Sequence, residues 1–379
     1  LDIHLINDLL NLMKRVIEYL LNIFLNRFFI TCLLSFLILT GCGTTDSGGS
    51  GELDISGHFE NLQLTEQDIF NIDVQDDKLF AGTSDGFMVF DLESGEQTGH
   101  HKPGSNVPAF LIIDEGFWLI STAYPAGSKE NAIFKSEDQG EIWVHYTNGY
   151  AEDRDHERRL TPTTMDYYLE NSVPVIFART LPVLFVARST DGGASWENVQ
   201  GNWGNPSIGA ARFVKIDKNN SDIIWAGGAG SFFNAWLSKS TNGGDDWETV
   251  NILPNSENTV YDVAIRHQRS EHVLAGVGGG ILKTTNSGSS WATVHTGSDT
   301  FAFTKSSRNP NIIYASGRNA TGTLFFLASN DFGDTWELQE FNEGQAGLLV
   351  YDMVSVTDGE VEVLYFGTDK GVFTFRFDE

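Results

Sequence analysis

The sequence predicts an all-β fold, a single seven-bladed β-propeller closed by a strand from its own N-terminal region, and three observations predict it. One short turn motif recurs five times at intervals near fifty residues. Short β-branched and aromatic runs precede every copy. The last repeat is one strand short, while a stretch near residue 60 has no repeat of its own.

The motif copies are SEDQGEIW from Ser136, STDGGASW from Ser189, STNGGDDW from Ser240, TTNSGSSW from Thr284 and SNDFGDTW from Ser329, with starts 53, 51, 44 and 45 residues apart. A fixed period of this size marks repeated supersecondary units that bury their faces only against one another. Ahead of the third copy lie Ile223–Gly227 and Trp236–Lys239, and ahead of the fourth His272–Gly276 and Ile281–Lys283. Such runs read as consecutive antiparallel strands, with the motif as the turn to the next one. In that turn a short Asp or Asn side chain bonds nearby backbone N–H groups, Gly supplies positive φ, and Trp opens the outer strand and packs back on the blade.

The pattern Ser/Thr-x-Asp/Asn-x-Gly-x-x-Trp resembles the Asp-box, or BNR repeat, of β-propellers such as sialidases, sortilin-like receptors and photosystem assembly factors. The resemblance implies structural roles for Asp138, Gly140 and Trp143, for Asp191, Gly193 and Trp196, for Asn242, Gly244 and Trp247, for Asn286, Gly288 and Trp291, and for Asp331, Gly333 and Trp336. Two further units, LFAGTSDGFMVFD from Leu79 and VLYFGTDKGVFTFRF from Val363, keep the strands without the motif, which brings the count to seven. A ring must leave no open edge. The missing strand of the last unit is therefore expected from the segment around His58–Leu64. No helical domain is expected, although residues 148–160 suit a short helix within a loop.

The first 41 residues read as a lipoprotein signal peptide. The apolar run Phe28–Leu39 is too short to span a bilayer, follows Lys14, Arg15 and Arg27, and leads into Leu39-Thr40-Gly41-Cys42. That tetrapeptide resembles the bacterial lipobox, which implies acylation of Cys42 and a location in the cell envelope, with the outer membrane favoured by Gly43. Residues 42–54 form a Gly/Ser-rich tether, and residues 55–379 the propeller. With Cys32 in the signal, Cys42 is the one cysteine of the mature chain, so no intramolecular disulfide is available.

With 51 acidic against 24 basic residues the net charge is −27, and removal of the signal leaves it unchanged. Nothing in that balance neutralises a phosphate backbone, so nucleic acid is excluded as a partner. No Gly-rich phosphate loop opens a helix, no nucleophile elbow appears, and the histidines lack ligand spacing, so no cofactor or metal is implied. His100-His101 reads as a surface pair on alternate faces of a strand.

In propellers of this kind the motif turns occupy one end and ligands meet the other, where second-to-third turns and blade connections converge. The segments expected there run from Ser121 to Asn131, Tyr146 to Leu160, Gln200 to Gly209, Gly227 to Asn234, Asn251 to Asn258, Gly317 to Thr321 and Glu340 to Gly347. Long loops on a rigid scaffold are a common place for function. Their candidate ligand residues are Tyr124, Tyr150, Arg154, Trp203, Phe232, Phe233 and Arg318, suited to stacking on sugar rings or burying against a protein. Sialidases require an arginine triad and an Arg-Ile-Pro motif, whereas this chain offers the interrupted Arg179-Thr180-Leu181-Pro182. The expected function is thus a non-catalytic, lipid-anchored, monomeric propeller that binds a glycan or envelope protein. The alternative is a glycoside hydrolase of sialidase or glucanase type that uses two funnel carboxylates.

Overall fold

The computed structural model describes residues 53–378 except 115, 124–131, 147–160, 182–185, 201–209, 230–234, 253–258 and 342–347. The signal, Cys42 and the expected helix at 148–160 lie outside the described residues. The chain forms seven four-stranded antiparallel sheets, each a meander from the centre of a ring outward. The innermost strands of blades 1 to 7 are Ile69–Gln75, Asn106–Asp114, Thr161–Glu170, Ala210–Ile216, Val260–Arg266, Ser298–Lys305 and Val350–Asp358. The described residues include no helix.

One apolar cluster fills each of the seven blade interfaces. Between blades 4 and 5, for example, Trp225, Leu237 and Val250 meet Val263, Ala275 and Trp291. Second and third strands are buried on both faces, as in Gly280–Thr284, whereas outer strands such as Ala292–Thr296 are largely exposed. Burial on both faces explains why the middle strands read as unbroken apolar runs and lack the alternation of a half-exposed sheet.

Closure follows the expectation. The N-terminal strand Gly57–Asn61 pairs with Gly371–Phe377, with Gly57 opposite Phe377 and Asn61 opposite Phe373, and becomes the outer strand of blade 7. Phe59 fixes that register. Its ring lies 4.8 Å from Phe375, 5.3 Å from Phe341 and 6.0 Å from Phe326, so one side chain joins the added strand to blades 6 and 7.

The five motif turns share one hydrogen-bond pattern. The hydroxyl of Ser136, Ser189, Ser240, Thr284 or Ser329 accepts from the backbone N–H of Gly140, Gly193, Gly244, Gly288 or Gly333, at 2.7–3.0 Å. Oδ1 of Asp138, Asp191, Asn242, Asn286 or Asp331 accepts from the N–H four residues on, at 2.8–2.9 Å. These glycines have φ of +86° to +91°, a region that a Cβ disfavours. Each turn also packs against the preceding blade: a Cβ on Gly244 would stand 2.6 Å from the Phe177 ring of blade 3, and one on Gly333 2.8 Å from Leu274 of blade 5. The motif thus joins neighbouring blades as well as turning the chain.

Candidate functional site at the mouth of the ring

In a four-stranded meander the first-to-second and third-to-fourth turns share one end, and the second-to-third turns and blade connections share the other. At this second end every innermost strand slips register against its neighbour. The irregularities fall between Ile69 and Asn71, Asn106 and Ala109, Pro162 and Thr164, Ala211 and Phe213, Val260 and Asp262, Thr300 and Ala302, and Val350 and Asp352. A bulge leaves one residue unpaired and re-aims its side chain. Here the residues so placed are Phe70, Pro108, Thr163, Arg212, Tyr261, Phe301 and Tyr351, and all seven line a single cavity of about 460 Å³ at the mouth of the central channel.

The rim combines aromatic rings with guanidinium groups. Tyr261 and Phe301 meet edge to face at 4.5 Å, and Phe70 and Tyr351 lie 5.8 Å apart. Arg212 stands over Tyr261 at 5.2 Å and Arg318 over Phe301 at 5.9 Å. Arg318 is also held by Asp299, with Nη2 2.6 Å from Oδ2, so part of its charge is already met. Arg179 donates to Thr163 Oγ1. Arg212 and Arg318 are exposed, as is Tyr351.

Beneath this rim the carboxylates serve as clasps between blades. Asp352 Oδ2 accepts from Asn71 Nδ2 at 2.6 Å and from Ile72 N at 3.1 Å, while its Oδ1 accepts from Met353 N at 2.9 Å. Asn71 Oδ1 accepts from Phe110 N at 3.2 Å, Asp262 Oδ2 from Phe303 N at 3.2 Å, and Asp166 Oδ2 from Ile216 N at 2.7 Å. Apart from the Met353 contact, each bond crosses to the next blade. Lys215 Nζ stands 3.6 Å from Asp262 Oδ1, which is sealed from solvent and makes no hydrogen bond.

Burial governs the electrostatics here. It pushes the Asp262 carboxyl up to about 6 even though Lys215 and two backbone N–H groups pull the other way, and it raises Asp352 in the same direction. Asp262, foremost, pushes the Lys215 ammonium up to about 12. The Lys215 side chain is 40% exposed at the funnel floor, so water screens part of that pair.

A larger cavity, about 980 Å³, lies between blades 1 and 2 at the motif end, lined by Lys78, His101, Trp118 and Glu137–Glu141. Its polar groups are largely engaged already, since Asp138 and Ser136 make the turn and Lys78 reaches Gln139 at 3.4 Å. His101 lies half-buried beside Trp143, with its imidazole held below its ordinary range first by burial and then by His100 and Lys102. His100 bonds Asp85 O at 2.6 Å. The described residues hold no group of three His, Cys, Asp or Glu side chains suited to a metal.

Of the residues expected at the ligand end, Arg318 lines the mouth, while Tyr124, Tyr150, Arg154, Trp203, Phe232 and Phe233 lie outside the described residues. Sequence reasoning missed the ring of bulges. Its signal in the sequence is the echo among Ile69-Phe70-Asn71-Ile72, Val260-Tyr261-Asp262-Val263 and Val350-Tyr351-Asp352-Met353, which becomes visible when the innermost strands are aligned.

No family model matches the chain, and no curated protein does. Solved structures match through the fold. YCF48 bound to D1 peptide is 16% identical with a TM-score of 0.61, covering 86% of this chain and 97% of that one. The GH74 xyloglucanase from Xanthomonas campestris is 15% identical with a TM-score of 0.61, covering 84% of this chain and 53% of that one, so the chain spans about half the enzyme's length. The extracellular domain of a putative hybrid two-component system from B. thetaiotaomicron is 13% identical with a TM-score of 0.59, covering 86% and 40%. At these identities the chain shares with all three a β-propeller fold.

Proposed function

We propose that the protein is a non-catalytic propeller, anchored through a lipid on Cys42 outside the cytoplasm, that binds a carboxylate-bearing glycan or protein segment at the mouth of its ring. One observation carries the reading: Arg179, Arg212, Arg318 and Lys215 converge among the bulged aromatics of a chain whose net charge is −27. Cations gathered in a concave site on an otherwise acidic surface select an anion by attraction there and repulsion elsewhere. Tyr261, Phe301 and Tyr351 supply flat apolar area for a sugar ring or an aromatic residue. The Asp-box reading of the five turns suits this division, since it leaves the opposite end for ligands. The neighbours bound to D1 peptide or named as xyloglucanase make protein and glycan equally natural classes to test.

Catalysis is disfavoured by the state of the acids. Glycoside hydrolysis needs one carboxyl to protonate a leaving group and a second to attack or to activate water. Asp352 accepts from three N–H donors, and Asp262 Oδ1 has no access to solvent. The alternative reading as a hydrolase rests on Asp262, whose carboxyl near 6 has the protonation range of a general acid. Incubation with fluorogenic sialosides and β-glucosides, beside titration with acidic oligosaccharides and peptides, separates the two. Saturable binding without turnover is expected. Turnover that disappears in Asp262→Asn overturns the binding-only reading.

A further inference from the structure

Resting on the reading of the mouth as a site for carboxylates, we infer that the mouth takes up a proton together with its ligand, with Asp262 as the proton's acceptor and Lys215 as the group that couples the two. The proton is then a co-ligand of the site. Mild acid strengthens the capture of an anionic glycan or peptide.

The acids around the funnel floor differ in how their charge is met. Asp352 accepts from Asn71 Nδ2, Ile72 N and Met353 N at 2.6–3.1 Å, while Asp166 accepts from Ile216 N at 2.7 Å and pairs with Lys218. Asp299 accepts from Gly279 N at 2.8 Å and holds Arg318 at 2.6 Å. Asp262 has thinner support. Its Oδ2 accepts from Phe303 N at 3.2 Å, whereas its Oδ1 is sealed from solvent, makes no hydrogen bond and faces the Lys215 ammonium at 3.6 Å. Among the described residues that ammonium is its one ion-pair partner.

Lys215 serves the mouth at the same time. Its side chain lines the mouth cavity and is 40% exposed, against 9% for the Asp262 side chain. A ligand carboxylate on the floor thus meets Lys215 while the sealed Asp262 Oδ1 stays out of its reach. Two carboxylates then share one ammonium, and one of them is cut off from water. Like charges so placed do not both stay ionised, and the poorly hydrated one takes the proton. Once Asp262 is neutral, the whole charge of Lys215 is left to the ligand.

The ligand-free site is already biased in this direction. Burial pushes the Asp262 carboxyl up to about 6 and Asp352 adds to the rise, against Lys215 and the N–H groups of Val263 and Phe303. A ligand that draws on Lys215 weakens what opposes that rise, so the carboxyl of the bound state titrates higher than that of the free one. Affinity is therefore lowest where Asp262 is ionised in both states, grows as pH falls through the bound-state value, and levels off once pH drops below about 6. The histidines at this end do not account for such a profile. His100 and His295 lie on the outer strands of blades 1 and 5 and are not part of the cavity lining.

Calorimetric titration with trigalacturonate and with a Glu-rich hexapeptide, at constant ionic strength, tests the coupling. Binding should tighten roughly tenfold between about pH 8 and pH 5.5, the size of effect that one like charge several Å away exerts at a partly wetted site. Heats measured near neutral pH in two buffers of different ionisation enthalpy should show net proton uptake by the native protein. Asp262→Asn, which keeps an acceptor for Phe303 N–H, should bind at the higher pH as tightly as the native protein does at the lower one, and should take up no proton. Because the probe is unchanged, this comparison also cancels the probe's own titration. Lys215→Gln should bind weakly at both pH values. Binding without proton uptake or pH dependence overturns the inference while the mouth stands as an anion site, and uptake that survives in Asp262→Asn overturns the role of Asp262. If neither probe binds at any pH, the anion reading and this inference fall together.

Discussion

The two ends of the ring solve different problems with the same strands. At the motif end five turns repeat one set of hydrogen bonds, with the same glycine φ and the same contact with the preceding blade. At the mouth all seven blades repeat one backbone irregularity, yet the residue at the bulge varies around the ring, from Phe70 through Pro108, Thr163 and Arg212 to Tyr351. Identical side chains mean an identical mechanical task. Differing side chains on an identical backbone leave chemistry free to vary, which makes the mouth the end suited to recognition.

The most severe way to break this comparison removes the ring on which both ends depend. Deleting residues 55–64 takes away the outer strand of blade 7 and Phe59 with its four ring contacts. A loss of about 5 kcal/mol or more is expected, comparable to the net stability of a whole domain. Hydrogen exchange at residues 363–377 should accelerate. Unchanged protection there would mean that the closing strand is dispensable.

Next in size is a motif tryptophan. Trp291 is 9% exposed, meets Trp225 edge to face at 6.3 Å and belongs to the cluster between blades 4 and 5. Trp291→Ala should lower stability by about 3–5 kcal/mol, as large-to-small core changes do. Affinity for a mouth ligand, measured below the melting transition, should be preserved. A variant that melts normally but no longer binds would transfer function to the wrong end of the ring.

How much of each end was legible follows from the same contrast. Gly140, Gly193, Gly244, Gly288 and Gly333 are fixed by positive φ, and their Ser/Thr and Asp/Asn partners by short-range hydrogen bonds, so the motif is local and visible in the sequence. The closing strand was legible by counting, because a three-stranded last unit and an unassigned His58–Leu64 require one another. The bulges were not. A register slip moves a side chain between faces without altering composition, and Arg212 or Tyr261 read as ordinary strand residues until their pairing is known. Asp166, Asp262 and Asp352 were invisible as clasps for a related reason. Their partners, Ile216, Phe303 and Ile72, lie at least 41 residues away, in the next blade around the ring.

A third prediction concerns those clasps and sharpens the comparison through pH. The Asp262 carboxyl has an ordinary value of 3.8 and a folded value of about 6, so the folded state binds the extra proton between those limits. The stability this group contributes is therefore present below pH 3.8, falls as pH rises toward 6 and is flat above that. Asp262→Asn keeps an acceptor for Phe303 N–H and removes the titration. The stability of the native protein relative to this variant should thus decline by about 2–3 kcal/mol from pH 4 to pH 6.5, because each pH unit between the two values carries about 1.4 kcal/mol. Parallel chemical denaturation series measure it, and referencing one protein to the other cancels the repulsion among the remaining acids. Parallel curves would show that the Asp262 carboxyl titrates alike in the folded and unfolded states.

The smallest effect on stability should accompany the largest effect on binding, and Arg212 is the place to find both. It is exposed at an unpaired bulge, and its ring contact is with Tyr261 at the rim. Surface substitutions away from caps and cores usually stay within about 0.5 kcal/mol, so Arg212→Ala should melt almost as the native protein does. A charge-assisted hydrogen bond to a bound carboxylate contributes about 1.5–3 kcal/mol, which corresponds to a loss of roughly ten- to hundredfold in affinity. Arg212→Lys should fall between the two, because an ammonium keeps the charge but loses the planar fork that fits a carboxylate. Ser290→Ala at the motif end, whose backbone N–H still reaches Asn286 Oδ1, serves as the control and should change neither property beyond about 0.5 kcal/mol. Calorimetric titration with an acidic oligosaccharide and an acidic peptide, repeated at raised salt, reads the binding arm. Equal affinity in Arg212→Ala and the native protein would remove the mouth cations from recognition and end the contrast between a mechanical end and a binding end.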